Sequence, residues 1–319
     1  MTAIQPTDAE PAFRGDGNLE RVLRSGAFAV TAEVTPPLSC SPADLLGKAL
    51  PLRGLADAVN VTDGASARVH MSSLAAAALL VTNGVEPVLQ MTCRDRNRLA
   101  LQGDVLGAGA LGICNILMLR GDDVAAGDQP EAAAVYDYES SDLIAAAAAM
   151  RGDARLPSGR QIAAPPRIFI GAAELPSDPA ADWNSARLRA KSEAGADFVQ
   201  TQFCFDAGVV RRYAQRLSDE GLTEHLFVLV GIGPPASARS ARWMRDNLFG
   251  TIIPDAVIGR LEGAADARAE GVDICVELLR ELADIPGIAG AHIMAPLNEA
   301  SVPEVIERSG VLKGRPTTP

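Results

Sequence analysis

Short runs of apolar, β-branched residues alternate with Ala- and Leu-rich segments of helical periodicity along most of the chain. Such alternation is typical of βα units, whose strands form a parallel sheet that helices cover. The pattern predicts eight strands, at 28–34, 58–62, 87–92, 114–119, 167–170, 197–202, 226–231 and 291–294. We therefore expect an α/β fold built on one large parallel sheet.

The spacing of these strands favours a single (β/α)8 TIM barrel. The first four strands start about 25 to 30 residues apart, and wider gaps precede the fifth and the eighth. An open doubly wound sheet stays open as the alternative, because the number of strands does not show closure. The wider gaps predict a loop insertion at 155–166 and extra helices within 254–284. The polar residues 1–18 predict a flexible N-terminal arm, followed by a barrel domain at 19–319.

A G-x-G-x-x-G motif at Gly107, Gly109 and Gly112 suggests a dinucleotide-binding loop at first sight. This motif binds pyrophosphate where a strand leads into the glycines and a helix leaves them. Here the order is reversed, because helical periodicity at 98–106 precedes the motif and the predicted strand at 114–119 follows it. We therefore predict that these glycines do not form a Rossmann loop.

Charge and composition exclude several classes of function. The formal net charge of −11, with no clustered cationic face, argues against binding of nucleic acid or an anionic membrane. No apolar stretch approaches ~18 residues and the N-terminus lacks signal-peptide features, so we expect a cytoplasmic protein. The five scattered cysteines and three distant histidines predict neither a disulfide framework nor a metal site.

The predicted strands end in unusually polar residues. In a parallel barrel, ligands bind at the carboxyl ends of the strands, so these residues are the candidates for a functional site. The arginines within 92–98, together with Arg120, are candidates for holding a phosphate-bearing cofactor. The polar strand ends are Glu33, Thr62, Asp63, Gln90, Thr92, Arg94, Arg120, Asp122, Glu174, Gln202 and His292.

Two of these carboxylates are candidates for catalysis. Glu33, at the mouth of an apolar strand, would be partly desolvated, which favours a proton donor; a solvated charge or an ion pair stays open. Asp122 would stay ionised beside a cationic intermediate or a cofactor, or would only stabilise the local turn. Gln202 could bind an amide-like heterocycle or fix a loop. We interpret His225 and His292 as structural residues.

Several long segments, in the same order, resemble methylenetetrahydrofolate reductases. They are VTAEVTPPLS at 30–39, LQMTCRDRNRLALQGDVLGAGALG at 89–112, NILMLRGDD at 115–123 and GADFVQTQFCFD at 195–206. The later segments VGIGPPASARSARWM, GIAGAHIMAP and VPEVIERSGV agree with this resemblance. The TCRDRN and VYDYESSDLI stretches resemble the branch that is fused to homocysteine methyltransferases or forms the reductase subunit of acetogenic bacteria.

The resemblance implies a (β/α)8 barrel that holds FAD, takes a hydride from NADH or NADPH, and reduces 5,10-methylenetetrahydrofolate to 5-methyltetrahydrofolate. It implies that Glu33 is the general acid that protonates a folate ring nitrogen. Asp122 would favour the resulting iminium cation, and Gln202 would contact the folate. Lys191 would supply a cation suited to the flavin pyrophosphate. The implied flavin site comprises Thr62, Gln90, Arg120, Gly121, Asp122, Ser140, Ala172 and Lys191.

The chain departs from better-known bacterial members of the family at three implied flavin contacts. It has Gln90 in place of a histidine, Ala172 in place of a tyrosine and Asn184 in place of an aspartate. These departures keep open a flavin-free enzyme that transfers the hydride directly from nicotinamide to folate. A flavin- or folate-binding subunit that needs a partner chain also stays open, and we expect a homo-oligomer.

Overall fold

Eight parallel strands close into a barrel in chain order, with the last strand paired to the first. The structure, a computed structural model, describes residues 13–180, 183–296 and 298–315. The barrel confirms the predicted (β/α)8 fold and excludes the open sheet. The strands are β1 (Ala29–Val34), β2 (Ala58–Val61), β3 (Pro87–Thr92), β4 (Asn115–Leu119), β5 (Phe169–Glu174), β6 (Phe198–Phe203), β7 (Phe227–Ile232) and β8 (Gly290–Ile293).

Helices surround the barrel, and two extra helices precede β8 as predicted. The glycine-rich motif lies in the fourth helix and in the turn that leads to β4, so the helix-to-strand order is confirmed. The helices are α1 (Asn18–Arg24), α2 (Pro42–Ala49), α3 (Ser73–Thr82), α4 (Arg98–Ala110), α5 (Ser140–Gly152), α6 (Ala186–Glu193), α7 (Ala207–Asp219), α8 (Ala238–Asn247), α9 (Asp255–Gly263), α10 (Ala267–Ala283) and α11 (Val302–Ser309).

Alternation of side chains along the strands builds two separate apolar cores. One core fills the barrel interior, where the rings of Phe169 and Phe198 stack with centroids 5.1 Å apart. The other core lies between the strands and the surrounding helices. Because residues two positions apart face the same side of a strand, this alternation also shows which polar residues face the barrel interior.

Helix α1 closes the amino end of the barrel, because Leu19, Val22 and Leu23 pack against the interior core. Partly buried Glu86 fixes the start of this helix by accepting a hydrogen bond of 2.9 Å from the Leu19 backbone N–H. Burial raises the pKa of Glu86. Glu20 accepts a hydrogen bond of 2.6 Å from the backbone N–H of Gly15, which lies within the predicted arm. Residues 1–12 of that arm lie outside the described residues, and the proposed domain boundary stays a prediction.

Asp197, which precedes β6, joins two neighbouring strands at the amino end of the barrel. Its carboxylate accepts a hydrogen bond of 2.8 Å from the backbone N–H of Ile170 in β5. It also forms ion pairs with Arg151, at 2.5 Å, and with Arg14. Burial is the largest influence on this carboxyl group and raises its pKa. Asp197 therefore depends on its partners to remain buried as an anion.

Candidate active site

Glu33 lies near the carboxyl end of β1, on the side of the strand that faces the barrel interior. Its Oε2 accepts a hydrogen bond of 2.8 Å from Gln90 Nε2 and lies 3.5 Å from His292 Nε2. The Glu33 side chain is 18% exposed, so a ligand in the mouth of the barrel can reach it. This partly buried carboxylate is therefore placed to hold or release a proton above the interior core.

His292 supports Glu33 from the neighbouring strand. The ring is buried, and its Nδ1 lies 3.0 Å from the hydroxyl of Thr31, which holds the ring in place. Interpretation of His292 as a structural residue agrees with this burial, whereas its contact with Glu33 did not follow from the sequence. Only the prediction of a closed barrel could have indicated this contact, because closure places β8 beside β1 and pairs Thr31 with His292.

A buried polar layer supports Thr31 inside the barrel. Asn60 and Gln200 exchange two side-chain hydrogen bonds, of 2.6 and 3.0 Å. Gln200 Nε2 also donates to the Thr31 hydroxyl at 2.9 Å. A buried network in which each member is satisfied holds its side chains in one arrangement. The layer thus fixes, through Thr31 and His292, the surroundings of Glu33.

Asp122 lies in the exposed loop after β4 and holds the loop that follows β2. Its Oδ2 accepts a hydrogen bond of 2.8 Å from the backbone N–H of Ser66, a residue with φ of +56°. A positive φ is uncommon for a residue other than glycine, so this contact stabilises a strained turn. Asp122 and Glu33 lie at the same end of the barrel but have different neighbours. Their convergence on one ligand stays a prediction.

Gly121 brings the loop after β4 close to the end of β3. Its φ is +93°, and a Cβ atom built on it would lie 3.0 Å from Arg94 Cβ and 3.1 Å from Thr92 Cβ. Both the backbone conformation and the close approach therefore require glycine. Gly121, which is predicted to line the flavin site, thus lets the backbone of the loop after β4 lie close to the carboxyl end of β3.

We expect Gly121→Ala to lower the free energy of unfolding by about 1–3 kcal/mol, because the new side chain is strained and crowded. Urea denaturation followed by circular dichroism measures the change. Gly103→Ala is the matched control, since Gly103 lies in α4 with open space where the Cβ would be. The control should be neutral or stabilising by up to about 1 kcal/mol. Equal losses in the two variants would contradict the role of Gly121.

The arginines predicted to hold phosphate are all engaged with carboxylates of this chain. Arg120 lies 3.5 Å from Glu139 and its guanidinium is 4.2 Å from the Tyr136 ring centroid. The charge of each arginine is therefore balanced locally. The remaining pairs are Arg94 with Asp95 at 2.7 Å, Arg96 with Asp104 at 2.9 Å and with Asp63, and Arg98 with Asp137 at 2.6 Å.

Lys191, the residue predicted to supply a cation to the pyrophosphate, extends from α6 to the carboxyl end of β5. Its Nζ donates to the Glu174 carboxylate at 2.9 Å and to the Ala173 carbonyl oxygen at 2.6 Å. The other Glu174 oxygen accepts a hydrogen bond of 2.9 Å from the Leu175 backbone N–H. Lys191 is therefore a balanced charge and not a free cation.

The remaining predicted site residues occupy different environments. The Thr62 hydroxyl is buried and has no hydrogen-bond partner among the described residues, as expected of a group that binds a ligand. Gln202 is partly buried at the end of β6, and its Oε1 accepts a hydrogen bond of 3.0 Å from the Phe203 backbone N–H. Ser140 is the first residue of α5. The Ala172 side chain packs in the outer core, so it faces away from the barrel interior.

A cleft of about 270 Å³ lies between the loops that follow β2, β3 and β4. Arg68 and His70 line it together with Asp63, Arg94 and Asp128. Ligand pockets usually measure about 300–1,000 Å³, so the cleft can take only part of a large ligand. Its mixture of charges suits a polar group at the rim of the barrel.

Among the described residues, no group of three or more His, Cys, Asp or Glu side chains could hold a metal ion. Within the same residues, every helix is too short or too polar to span a bilayer. The five cysteines are free thiols.

The closed barrel, with its polar residues at the carboxyl ends of the strands, defines a (β/α)8 barrel protein. In this class of protein, ligands bind at that end of the barrel. Residues 18–310, which are most of the chain, match the protein family described as Methylenetetrahydrofolate reductase. The chain belongs to the methylenetetrahydrofolate reductase family. The branch predicted from TCRDRN stays a prediction.

Two curated relatives carry the same family name. A probable methylenetetrahydrofolate reductase (NADPH) of Caenorhabditis elegans is 27% identical over 254 residues, 77% of this chain and 35% of that protein. Methylenetetrahydrofolate reductase 1 of Schizosaccharomyces pombe is 27% identical over 240 residues, 72% of this chain and 36% of that protein. The matched region thus spans about a third of the length of these relatives.

A solved structure has a similar fold. It is an uncharacterized protein from Clostridium thermocellum that binds two copies of 5-methyl-5,6,7,8-tetrahydrofolic acid. Its TM-score to this chain is 0.58 at 12% identity, and the match covers 91% of this chain and 97% of that one. At this identity the similarity supports the fold alone.

Proposed function

We propose that the chain reduces 5,10-methylenetetrahydrofolate to 5-methyltetrahydrofolate with a hydride from NADH or NADPH. The observation that carries the proposal is Glu33, a partly buried carboxylate at the barrel mouth that Gln90 and His292 hold in place. Membership of the reductase family supports a folate as the substrate.

In this reaction, Glu33 gives a proton to a ring nitrogen of the imidazolidine that carries the methylene group. The bond between that nitrogen and the methylene carbon breaks, and the other nitrogen forms a double bond to carbon, giving an iminium cation. A hydride from the reduced nicotinamide then adds to the same carbon and forms the methyl group. The proton and the hydride account for the two hydrogens gained, and the oxidised nicotinamide leaves.

Two further residues have proposed roles in binding. Asp122 contributes a negative charge at the same end of the barrel, which favours the iminium cation once the ring has opened. Gln202, at the end of β6, offers an amide that can donate to and accept from the pterin ring. Because its Oε1 already accepts from Phe203 N–H, its Nε2 is the atom that we expect to contact the folate.

FAD fits the site only in part. The unpartnered Thr62 hydroxyl and the close backbone approach at Gly121 suit a polar ligand edge. Lys191, the cation predicted for its pyrophosphate, does not fit, because it is paired with Glu174 where both side chains are largely shielded from water. We therefore favour direct transfer from nicotinamide to folate, and FAD stays a prediction from the family resemblance.

We expect the purified chain to oxidise reduced nicotinamide in the presence of 5,10-methylenetetrahydrofolate without added flavin. With nicotinamide deuterated at the transferred position, direct transfer places the deuterium in the methyl group of the product, which mass spectrometry detects. NADH and NADPH are compared in parallel, and omission of the folate is the control. Folate reduction that needs added FAD contradicts direct transfer. No turnover under either condition contradicts the proposed activity of the isolated chain and supports a subunit that needs a partner.

A cytoplasmic location and a homo-oligomeric state remain predictions from the sequence. Size-exclusion chromatography with light scattering measures the oligomeric state directly. Neither property changes the chemistry proposed for Glu33.

A further inference from the structure

The ion pair between Glu174 and Lys191 lies at the carboxyl end of β5, where it is largely shielded from water. The Glu174 side chain is 13% exposed and that of Lys191 is 15% exposed. Each group has a further hydrogen bond, because Lys191 donates to the Ala173 carbonyl and Glu174 accepts from the Leu175 N–H. The pair is thus held by the strand end as well as by its own attraction.

Burial distinguishes this pair from the ion pair of Arg120. Both side chains of the Arg120–Glu139 pair are more than half exposed and lie 3.5 Å apart, so water and salt weaken their attraction. A shielded pair loses little to screening, and its members leave each other only at a large cost. Glu174 therefore controls whether a second anion can use Lys191, whereas Glu139 has little such control over Arg120.

A flavin pyrophosphate at Lys191, where the family resemblance places it, meets the Glu174 carboxylate on the same ammonium group. Either the two anions lie side by side, which is repulsive, or Glu174 gives up Lys191 and becomes an unpaired buried charge. Both outcomes weaken binding. We propose that Glu174 is a specificity-determining residue that keeps a flavin pyrophosphate from Lys191, so that a nicotinamide dinucleotide that transfers its hydride directly binds with its own pyrophosphate away from this lysine. This inference rests on the proposed function, but its test measures binding and not turnover.

The test is a titration of the full chain and its variants with FAD, followed by quenching of flavin fluorescence. Glu174→Gln keeps the size of the side chain and its hydrogen bond to Leu175 N–H, but removes the charge that neutralises Lys191. We expect this variant to bind FAD about tenfold more tightly than the unchanged protein, or better. The absorbance of the freshly purified protein should show little flavin.

Two controls separate a local effect from a general change of charge. Glu262→Gln also removes one negative charge, from a pair with Arg242 between α8 and α9, and should leave FAD affinity unchanged. The double variant Glu174→Gln with Lys191→Ala should lose the gain, because the released cation is absent. Circular dichroism and thermal unfolding check that each variant folds, and Glu174→Ala is tested if Glu174→Gln does not.

Three results would overturn the proposal. Glu174→Gln could bind FAD no better than Glu262→Gln, or the double variant could keep the gain, or the unchanged protein could purify with one tightly bound FAD. Failure of the proposed function is a separate result, since it is the absence of folate reduction whatever the affinity for FAD.

Discussion

Glu33→Gln should lower the rate of folate reduction by about 10²- to 10⁴-fold, which is the usual contribution of a general acid. The glutamine has nearly the same shape and still accepts a hydrogen bond from Gln90, so the site should keep its form. It has no acidic proton, and the imidazolidine ring therefore opens slowly. Steady-state and single-turnover kinetics should show the loss in kcat, with little change in KM.

Glu304→Gln is the matched control for this variant. Glu304 forms an exposed ion pair with Arg308 on α11, and the same change of atoms there should leave the rate unchanged. Thermal unfolding of both variants shows whether the fold is retained. Near-normal folate reduction by Glu33→Gln excludes Glu33 as the proton donor, and the mechanism then needs another acid.

Asp197→Ala should lower the free energy of unfolding by about 3–5 kcal/mol, because it leaves the charge of Arg151 without its partner in a largely buried position. The change also leaves the Ile170 N–H without its acceptor, which loosens the join between β5 and β6. The expected loss is large beside the 5–15 kcal/mol that stabilises a typical domain. Urea denaturation followed by tryptophan fluorescence measures it.

Asp178→Ala removes the same group from an exposed pair with Arg212, in which both side chains are more than half exposed. Such pairs contribute about 0–1 kcal/mol, so this control should change stability little. If the two variants lose the same small amount, the Asp197 cluster does not hold the amino end of the barrel together.

The number, order and approximate position of the strands could be predicted from the sequence because period-two and helical patterns alternate so regularly. β5 shows the limit, since 167–170 was predicted and the strand runs over Phe169–Glu174. The strand residues that follow Ile170 are two alanines, a glycine and a glutamate, none of which is β-branched or aromatic, so they carry no strand signal. Gly171 belongs there for packing, because a Cβ at that position would lie 2.4 Å from the Phe198 ring.

Single residues of the candidate site could be predicted from the sequence, but the contacts between them could not. Positions near the ends of the predicted strands indicated Glu33, Gln90 and Gln202, because a polar residue near the end of an otherwise apolar strand is easily recognised. The partners of these residues come from other parts of the chain, which a pattern along one segment does not show. Glu174 lies 17 residues before Lys191, and His292 lies far from Glu33 in sequence. Ion pairing at Lys191 and the support of Glu33 by His292 therefore became visible only in the folded chain.

Helix α1 packs against the interior apolar core and closes the amino end of the barrel. Two molecules that react inside the barrel therefore enter and leave at its carboxyl end. Under direct transfer, the folate and the nicotinamide use this same opening, and the one that binds first blocks access for the other. The closed amino end thus favours an ordered sequence of substrate binding and product release.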